Sequence, residues 1–141
     1  MTLLHQFPEK LAVLSLGAGS DVPSWAESSS ILSVTATATE TAVLTAGRNV
    51  PSKVPGVRGL VAFVTADPGD ASTAGLLVDL LAPLAEADVA VQVTTTSTVV
   101  WVLVDNADVD RAVEAWTARG HTVEPAPTEH PTPEPRRERT K

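Results

Sequence analysis

The chain has no cysteine, which removes disulfides, thiolate metal sites and thiol nucleophiles from the chemistry open to it. Its three histidines, His5, His121 and His130, are scattered without metal-ligand spacing, so surface or strand-end positions are expected for them and no metal is. No apolar run approaches the roughly 18 residues that a membrane-crossing helix needs, so no membrane partner is expected. The opening "MTLLHQFPEKLAVL" lacks a basic segment ahead of its apolar residues. No secretory leader is therefore expected, and the cytoplasm is the expected location. Positive charge is scarce as well. The net charge is −7, and residues 125–141 hold four basic and three acidic groups, which leaves −8 on residues 1–124. An acidic body repels phosphate backbones, so nucleic acid is excluded as the main partner.

What remains is a globular balance, 43% hydrophobic and 19% charged over 141 residues, enough for one ordinary domain or two very small halves. In "DVDRAVEAWTARG" the residues Val109, Ala112, Val113 and Trp116 recur at helical spacing; Asn106 or Asp108 is the expected cap and Gly120 the left-handed stop. Leu76, Leu77, Leu80, Leu81 and Leu84 form a second apolar stripe, with Ser72 or Thr73 as its expected cap. Pro83 lies inside that helix, removes one backbone N–H and crowds the carbonyl of Asp79, which predicts a bend or a loosened last turn. The chain must then turn sharply through "EAD" into a strand.

Strands are expected at "VRGLVAFV" (57–64), "VAVQVTT" (89–95), "VVWVLV" (99–104) and "HTVE" (121–124), all but the last rich in β-branched residues. The order from 57 to 124 is βαββαβ, an α+β arrangement of the ferredoxin-like type, with an antiparallel sheet and both helices on one face. Residues 1–50 read as an abbreviated version of that plan. "KLAVLSL" is a strand, "VPSWAES" a short helical turn, and "ILSVTATATETAVLTA" two strands meeting near 38–40, with the second helix missing. Residues 51–56 are the expected linker. Residues 125–141 carry five prolines and little that is apolar, the composition of a disordered tail.

The segments "SVTATATETAVLT" (33–45) and "GLLVDLLAPLAEADVAVQVTTTSTVVWVLV" (75–104), followed by "DVDRAVEAWTARGHTVE", resemble the small tandem ACT domain proteins, bacterial relatives of the ACT halves of the eukaryotic arginine sensors. The most specific element is "LLAPLAEA" running into a strand. The resemblance implies an ACT fold in two repeats, the first abbreviated, and a small effector, usually an amino acid, bound where repeats meet. It also implies where: the loop between first strand and first helix, here Asp67, Pro68, Gly69, Asp70, Ala71, Ser72 and Thr73, together with the "TTTST" segment, through Thr95, Thr96 and Thr98, where it faces that loop of another repeat. A helix N-terminus favours a carboxylate on its own account, and Gly69 allows a ligand close to the backbone. In two places the chain departs from the pattern. Val99 and Val100 stand where relatives commonly show Thr and Asp, and Ala74 where they often show Thr.

Other motifs are incomplete. "GAGS" (17–20) lacks the third glycine of a dinucleotide loop, and no nucleophile elbow organises a Ser-His-Asp set, so neither a cofactor nor catalysis is expected. The reading is a non-enzymatic, small-molecule regulatory or sensor module. The alternative is a protein-interaction or dimerisation module with the same fold that has lost its ligand, for which Val99 and Val100 speak. A homodimer is expected on a further ground. In "VVWVLV" both alternating sets are apolar, as are Leu60, Ala62, Val64 against Val61, Phe63, and a strand apolar on both faces needs cover on both, from a second copy or from the first repeat extending the sheet or folding across it.

Overall fold

The computed structural model describes residues 2–27, 31–67 and 74–127. Among them are eight strands, β1 (Leu3–Gln6), β2 (Leu11–Leu16), β3 (Ser33–Ala36), β4 (Thr41–Ala46), β5 (Gly56–Thr65), β6 (Val91–Thr95), β7 (Val100–Asp105) and β8 (Thr122–Pro125), with helices α1 (Ala74–Glu86) and α2 (Val109–Ala118). Short 3-10 turns occupy 24–26, 47–49 and 106–108. The predicted elements are all present, with boundaries shifted by one or two residues. The expected linker is pinned: the Arg58 guanidinium donates to the carbonyls of Pro51 and Val54 at 2.9 and 2.7 Å.

The α+β architecture is as expected, with one addition. A lone βαββαβ unit would set β8 beside β5, but here β1 lies between them, antiparallel to β5 (Leu4 opposite Thr65) and parallel to β8 (Leu4 opposite Val123). The chain then continues along the same edge of β5. Phe7 N–H donates to Ala62 O, and β2 pairs with the first half of β5, Leu11 opposite Leu60 and Leu14 opposite Gly56. The segment 3–16 thus runs antiparallel to the whole of β5, while β7, with β6 outside it, pairs along the other edge. Strands β4 and β3 extend the sheet beyond β2.

Alternation along β5 gives two cores. Val61 and Phe63 face α1 and α2 in a cluster with Leu4, Leu80, Leu84, Val100, Val102, Val104 and Trp116. Leu60 and Ala62 face the other way and pack with Leu103 against Leu11, Leu44 and Ala46 of the first half. The apolar second face is therefore covered within the chain, and the ground given above for a dimer is met by intramolecular packing.

Both helices stop in the same way. Val89 N–H donates to Leu84 O and Asp88 N–H to Ala85 O, with Asp88 itself at φ +60°; His121 N–H donates to Trp116 O and Gly120 N–H to Thr117 O, with Gly120 at φ +91°. These are Schellman ends. The first lets α1 enter β6 after four residues, which answers the sharp turn demanded by "EAD". Arg111 of α2 donates to the carbonyls of Ala87 and Asp88, a cation placed where the α1 dipole is negative. Asp108, one of the two expected caps, is the N-cap residue of α2 but makes no side-chain capping bond; one turn earlier Asp105 caps the 3-10 turn 106–108 by accepting from Ala107 N–H at 2.8 Å. The expected caps of α1, Ser72 and Thr73, lie outside the described residues.

Pro83 has no N–H to return to the carbonyl of Asp79. That carbonyl meets Nε2 of His121 at 3.1 Å, while Nδ1 of the same ring accepts from Thr2 N–H at 3.1 Å. The Thr2 donor fixes the tautomer, so Nε2–H donates to Asp79. His121 is buried, and its ring joins α1, the start of β8 and the N-terminal segment. Replacing it strands two backbone groups, so His121→Ala is expected to cost about 1–3 kcal/mol in urea unfolding. In a Pro83→Ala background, where Asp79 recovers a helical donor, the cost should fall measurably; equal costs in the two backgrounds contradict this account.

Gly56 opens β5 at φ +154°, and a Cβ there would sit 2.4 Å from Val13 O. Gly56→Ala must push β2 from β5, with an expected loss of about 1–3 kcal/mol and faster amide exchange in β2 than in β8.

Candidate functional site

The end of β5, the start of β1, the start of β7 and the end of β6 meet at one end of the sheet, as the registers Leu4–Thr65, Val64–Trp101 and Thr95–Val100 require. Pairing continues one step past β5, where Ala66 N–H donates to Leu3 O at 2.9 Å. The buried Thr65 hydroxyl accepts from Val100 N–H at 3.1 Å and so holds β7 against the exit of the following loop. Asp67 is exposed there, on the rim of a cleft of about 210 Å3 formed with Thr2, Leu3, Thr65 and Leu76. Of the predicted site residues, Pro68, Gly69, Asp70, Ala71, Ser72 and Thr73 lie outside the described residues.

Thr95, Thr96 and Thr98 are exposed at the same end of the sheet. The Thr96 hydroxyl accepts from the N–H groups of Thr98 and Val99 at 3.2 and 3.1 Å, and Thr96 N–H donates to Val99 O. Hydroxyl and turn are thus committed to each other. Thr95 shares the helix-covered face with its partner Val100 and makes no such bond. Val100 is fully buried in the helix-side core, so the position where relatives commonly carry Asp is a packing position here.

The same turn occurs in the first half. Thr37 accepts from Thr39 and Glu40 N–H groups at 3.3 and 3.1 Å, and Thr37 N–H donates to Glu40 O. The registers agree as well: Ser33 is opposite Leu44 and Thr35 opposite Ala42, as Gln92 is opposite Leu103 and Thr94 opposite Trp101. At matched places the hairpins share Val34 and Val93, Thr35 and Thr94, Thr37 and Thr96, Thr39 and Thr98, Val43 and Val102, Leu44 and Leu103.

Residues 58–117 match the family model described as ACT domain. The fold is the ACT fold. Protein Atu0741 from Agobacterium tumefaciens has a TM-score of 0.83 at 20% identity, over 92% of this chain and 96% of that one. The regulatory subunit of aspartate kinase from Thermus flavus has a TM-score of 0.57 at 11% identity, over 82% and 95%. Aspartate kinase from Synechocystis has a TM-score of 0.63 at 15% identity over 92% of this chain, which spans only 28% of that enzyme. No curated protein matches the chain. At these identities the likeness is one of fold. Among the described residues of this ACT fold, no group of three or more His, Asp or Glu side chains could hold a metal ion, and no helix is long and apolar enough to cross a membrane.

If the threonine hydroxyls close the hairpins, Thr96→Val and Thr37→Val should each cost about 0.5–1.5 kcal/mol, read from urea denaturation. A loss in one hairpin alone would separate the two turns.

Proposed function

We infer that the chain is a regulatory module which binds a small molecule, an amino acid by class, at the end of the sheet where Asp67 borders its cleft, and that it acts without catalysis in the cytoplasm. The observation that carries this reading is the meeting of Asp67, Thr65 and the N-terminal residues Thr2 and Leu3 around one cleft of about 210 Å3. An exposed carboxylate offers a counter-charge to an ammonium group, and the α1 N-terminus, entered through residues 68–73, favours a carboxylate. Thr95, exposed at the same end of the sheet and without a side-chain hydrogen bond among the described residues, is the further hydroxyl offered to the ligand, whereas Thr96 and Thr98 belong to the closed turn. The fold shared with a protein described as the regulatory subunit of aspartate kinase supports the regulatory part of the reading. Two ACT-like repeats, 1–50 and 57–124, joined by 51–56 and followed by a tail from 125, are the organisation proposed with it; the hairpins matched in register and turn support that division.

A ligand that binds only the folded state raises stability by about 2.7 kcal/mol at a hundred times its Kd. A thermal-shift screen of the twenty amino acids and common metabolites should therefore yield at least one compound whose effect disappears in Asp67→Ala. Flat melting curves throughout reject the reading.

One observation favours the interaction reading. The flank of α1 that carries Leu77, Val78, Leu81, Ala82 and Ala85 is apolar, and Val78 is 61% exposed. A two-fold dimer through this flank would bury it. Light scattering at micromolar concentration should then give twice the 14.7 kDa of one chain. A mass near one chain rejects the dimer and leaves the flank unexplained by self-association.

A further inference from the structure

The two matched hairpins face each other across a second cleft, of about 190 Å3, away from the cleft at Asp67. It is lined by equivalent positions of the two halves. Ser33 and Thr35 come from β3, Gln92 and Thr94 from β6, and Leu44 and Leu103 from the partner strands. The pairs Ser33 and Gln92, Thr35 and Thr94, Leu44 and Leu103 occupy matched places in the two registers, so each hairpin brings two hydrogen-bonding side chains and one leucine. Both β3 and β6 are edge strands, each paired on one side only among the described residues.

The hydrogen-bonding groups here are idle, unlike those of the turns. Thr37 and Thr96 spend their hydroxyls on their own backbone, whereas Ser33, Thr35, Gln92 and Thr94 make no side-chain hydrogen bond among the described residues. Ser33, Gln92 and Thr94 are half-buried, and the leucines beneath are buried. No ionisable side chain lines the cleft.

These features select a ligand chemistry. A carboxylate, phosphate or ammonium entering the cleft gives up water and meets no counter-charge, which costs more than neutral hydrogen bonds return. A purely apolar molecule would cover four polar groups and satisfy none of them. Hydroxyls on the ligand suit the site, because each rotates to donate or accept, and the lining mixes hydroxyls with an amide that does both. At a water-like volume of ~30 Å3 per polar atom group the space takes on the order of six non-hydrogen atoms. We propose that the cleft between β3 and β6 is a binding site for a small, uncharged polyol whose two ends each meet one hairpin. This site is separate from the one at Asp67 and does not depend on it.

The test uses the full chain and threitol, a four-carbon polyol with alike ends, titrated against 15N-labelled protein. Succinate and 1,4-diaminobutane serve as charged compounds of similar length. Saturable shifts at millimolar threitol are expected in the backbone amides of Ser33, Thr35, Gln92 and Thr94 and in the Gln92 side-chain amide, with none at these residues from the charged pair. The double variant Thr35→Val and Thr94→Val keeps side-chain shape and should weaken threitol at least tenfold at an unchanged melting temperature. Gln92→Glu, which adds a charge to the rim, should weaken it independently. The proposal is overturned by the absence of saturable shifts, by succinate binding as well as threitol, or by undiminished binding to both variants. An amino acid bound at Asp67 would instead move Thr65, Ala66, Asp67 and Leu76, so failure at one site is read separately from failure at the other.

Discussion

Strand β5 has to pair along both edges and pack on both faces of one sheet, and most of the structure is arranged around that constraint. Its ten residues, Gly56–Thr65, pair with β2 over the first half and with β1 and β7 over the second. From Leu60 onward a strand in that position has almost no solvent face to spare. Val61 and Phe63 are buried under the helices, and Leu60 and Ala62 under the first half of the chain. The same constraint explains Gly56, where the backbones of β2 and β5 approach so closely that a Cβ would strike Val13 O. It also explains why the N-terminal residues form β1: a segment antiparallel to all of β5 must cover the second half of the edge opposite β7 before it can form β2.

The helix layer depends on a smaller arrangement. Pro83 leaves α1 unbroken but removes the helical donor to Asp79 O, and the neighbouring elements bond to the carbonyls of that turn. Asp79 O, deprived of its helical donor, receives His121; Leu80 O receives the indole N–H of Trp116 at 2.8 Å, and Trp116 in turn sits edge-on to Phe63 with centroids 4.9 Å apart. Two consecutive carbonyls of α1 are thereby tied to Trp116 of α2 and to His121, three residues beyond its end. Polar groups that would otherwise be buried without partners hold the two helices in register, and the desolvation they would suffer alone makes those bonds directional constraints as well as contacts.

The legible parts of the fold were those written in a local period. α2, the leucine stripe of α1 and the two hairpins follow from apolar spacing and turn residues, and the left-handed stop at Gly120 follows from a glycine in the right place. The illegible parts depend on partners distant in sequence. Leu3–Gln6 is four residues of mixed character beside a proline, and only the edges of β5 and β8 make it a strand. Asp88 closes α1 in a conformation usually left to glycine, so its turn was inferred from the shortness of the connection and not from the residue. The Arg58 clamp on 51–54 and the two bonds of His121 join residues whose proximity no spacing announces. At the candidate site, Asp67 was legible as a polar loop residue, but its neighbour Thr2 was not, because β1 brings it there.

The matched hairpins show how one local pattern is put to different uses. Val104 packs under the helices, whereas at the matched place in the first half Thr45 is buried and its hydroxyl donates to Ala26 O at 3.0 Å. A 3-10 turn brings backbone where a helix would bring apolar side chains, and a hydroxyl is what satisfies backbone. On the opposite face the asymmetry is one of size. Trp101 packs edge-on to Phe7, centroids 5.4 Å apart, and helps fill the space between the halves; the residue in its place in the first hairpin is Ala42. An alanine there leaves volume that a second indole would occupy. The cleft between β3 and β6 therefore lies where the two halves share a register and matched threonines while only one of them carries a large aromatic.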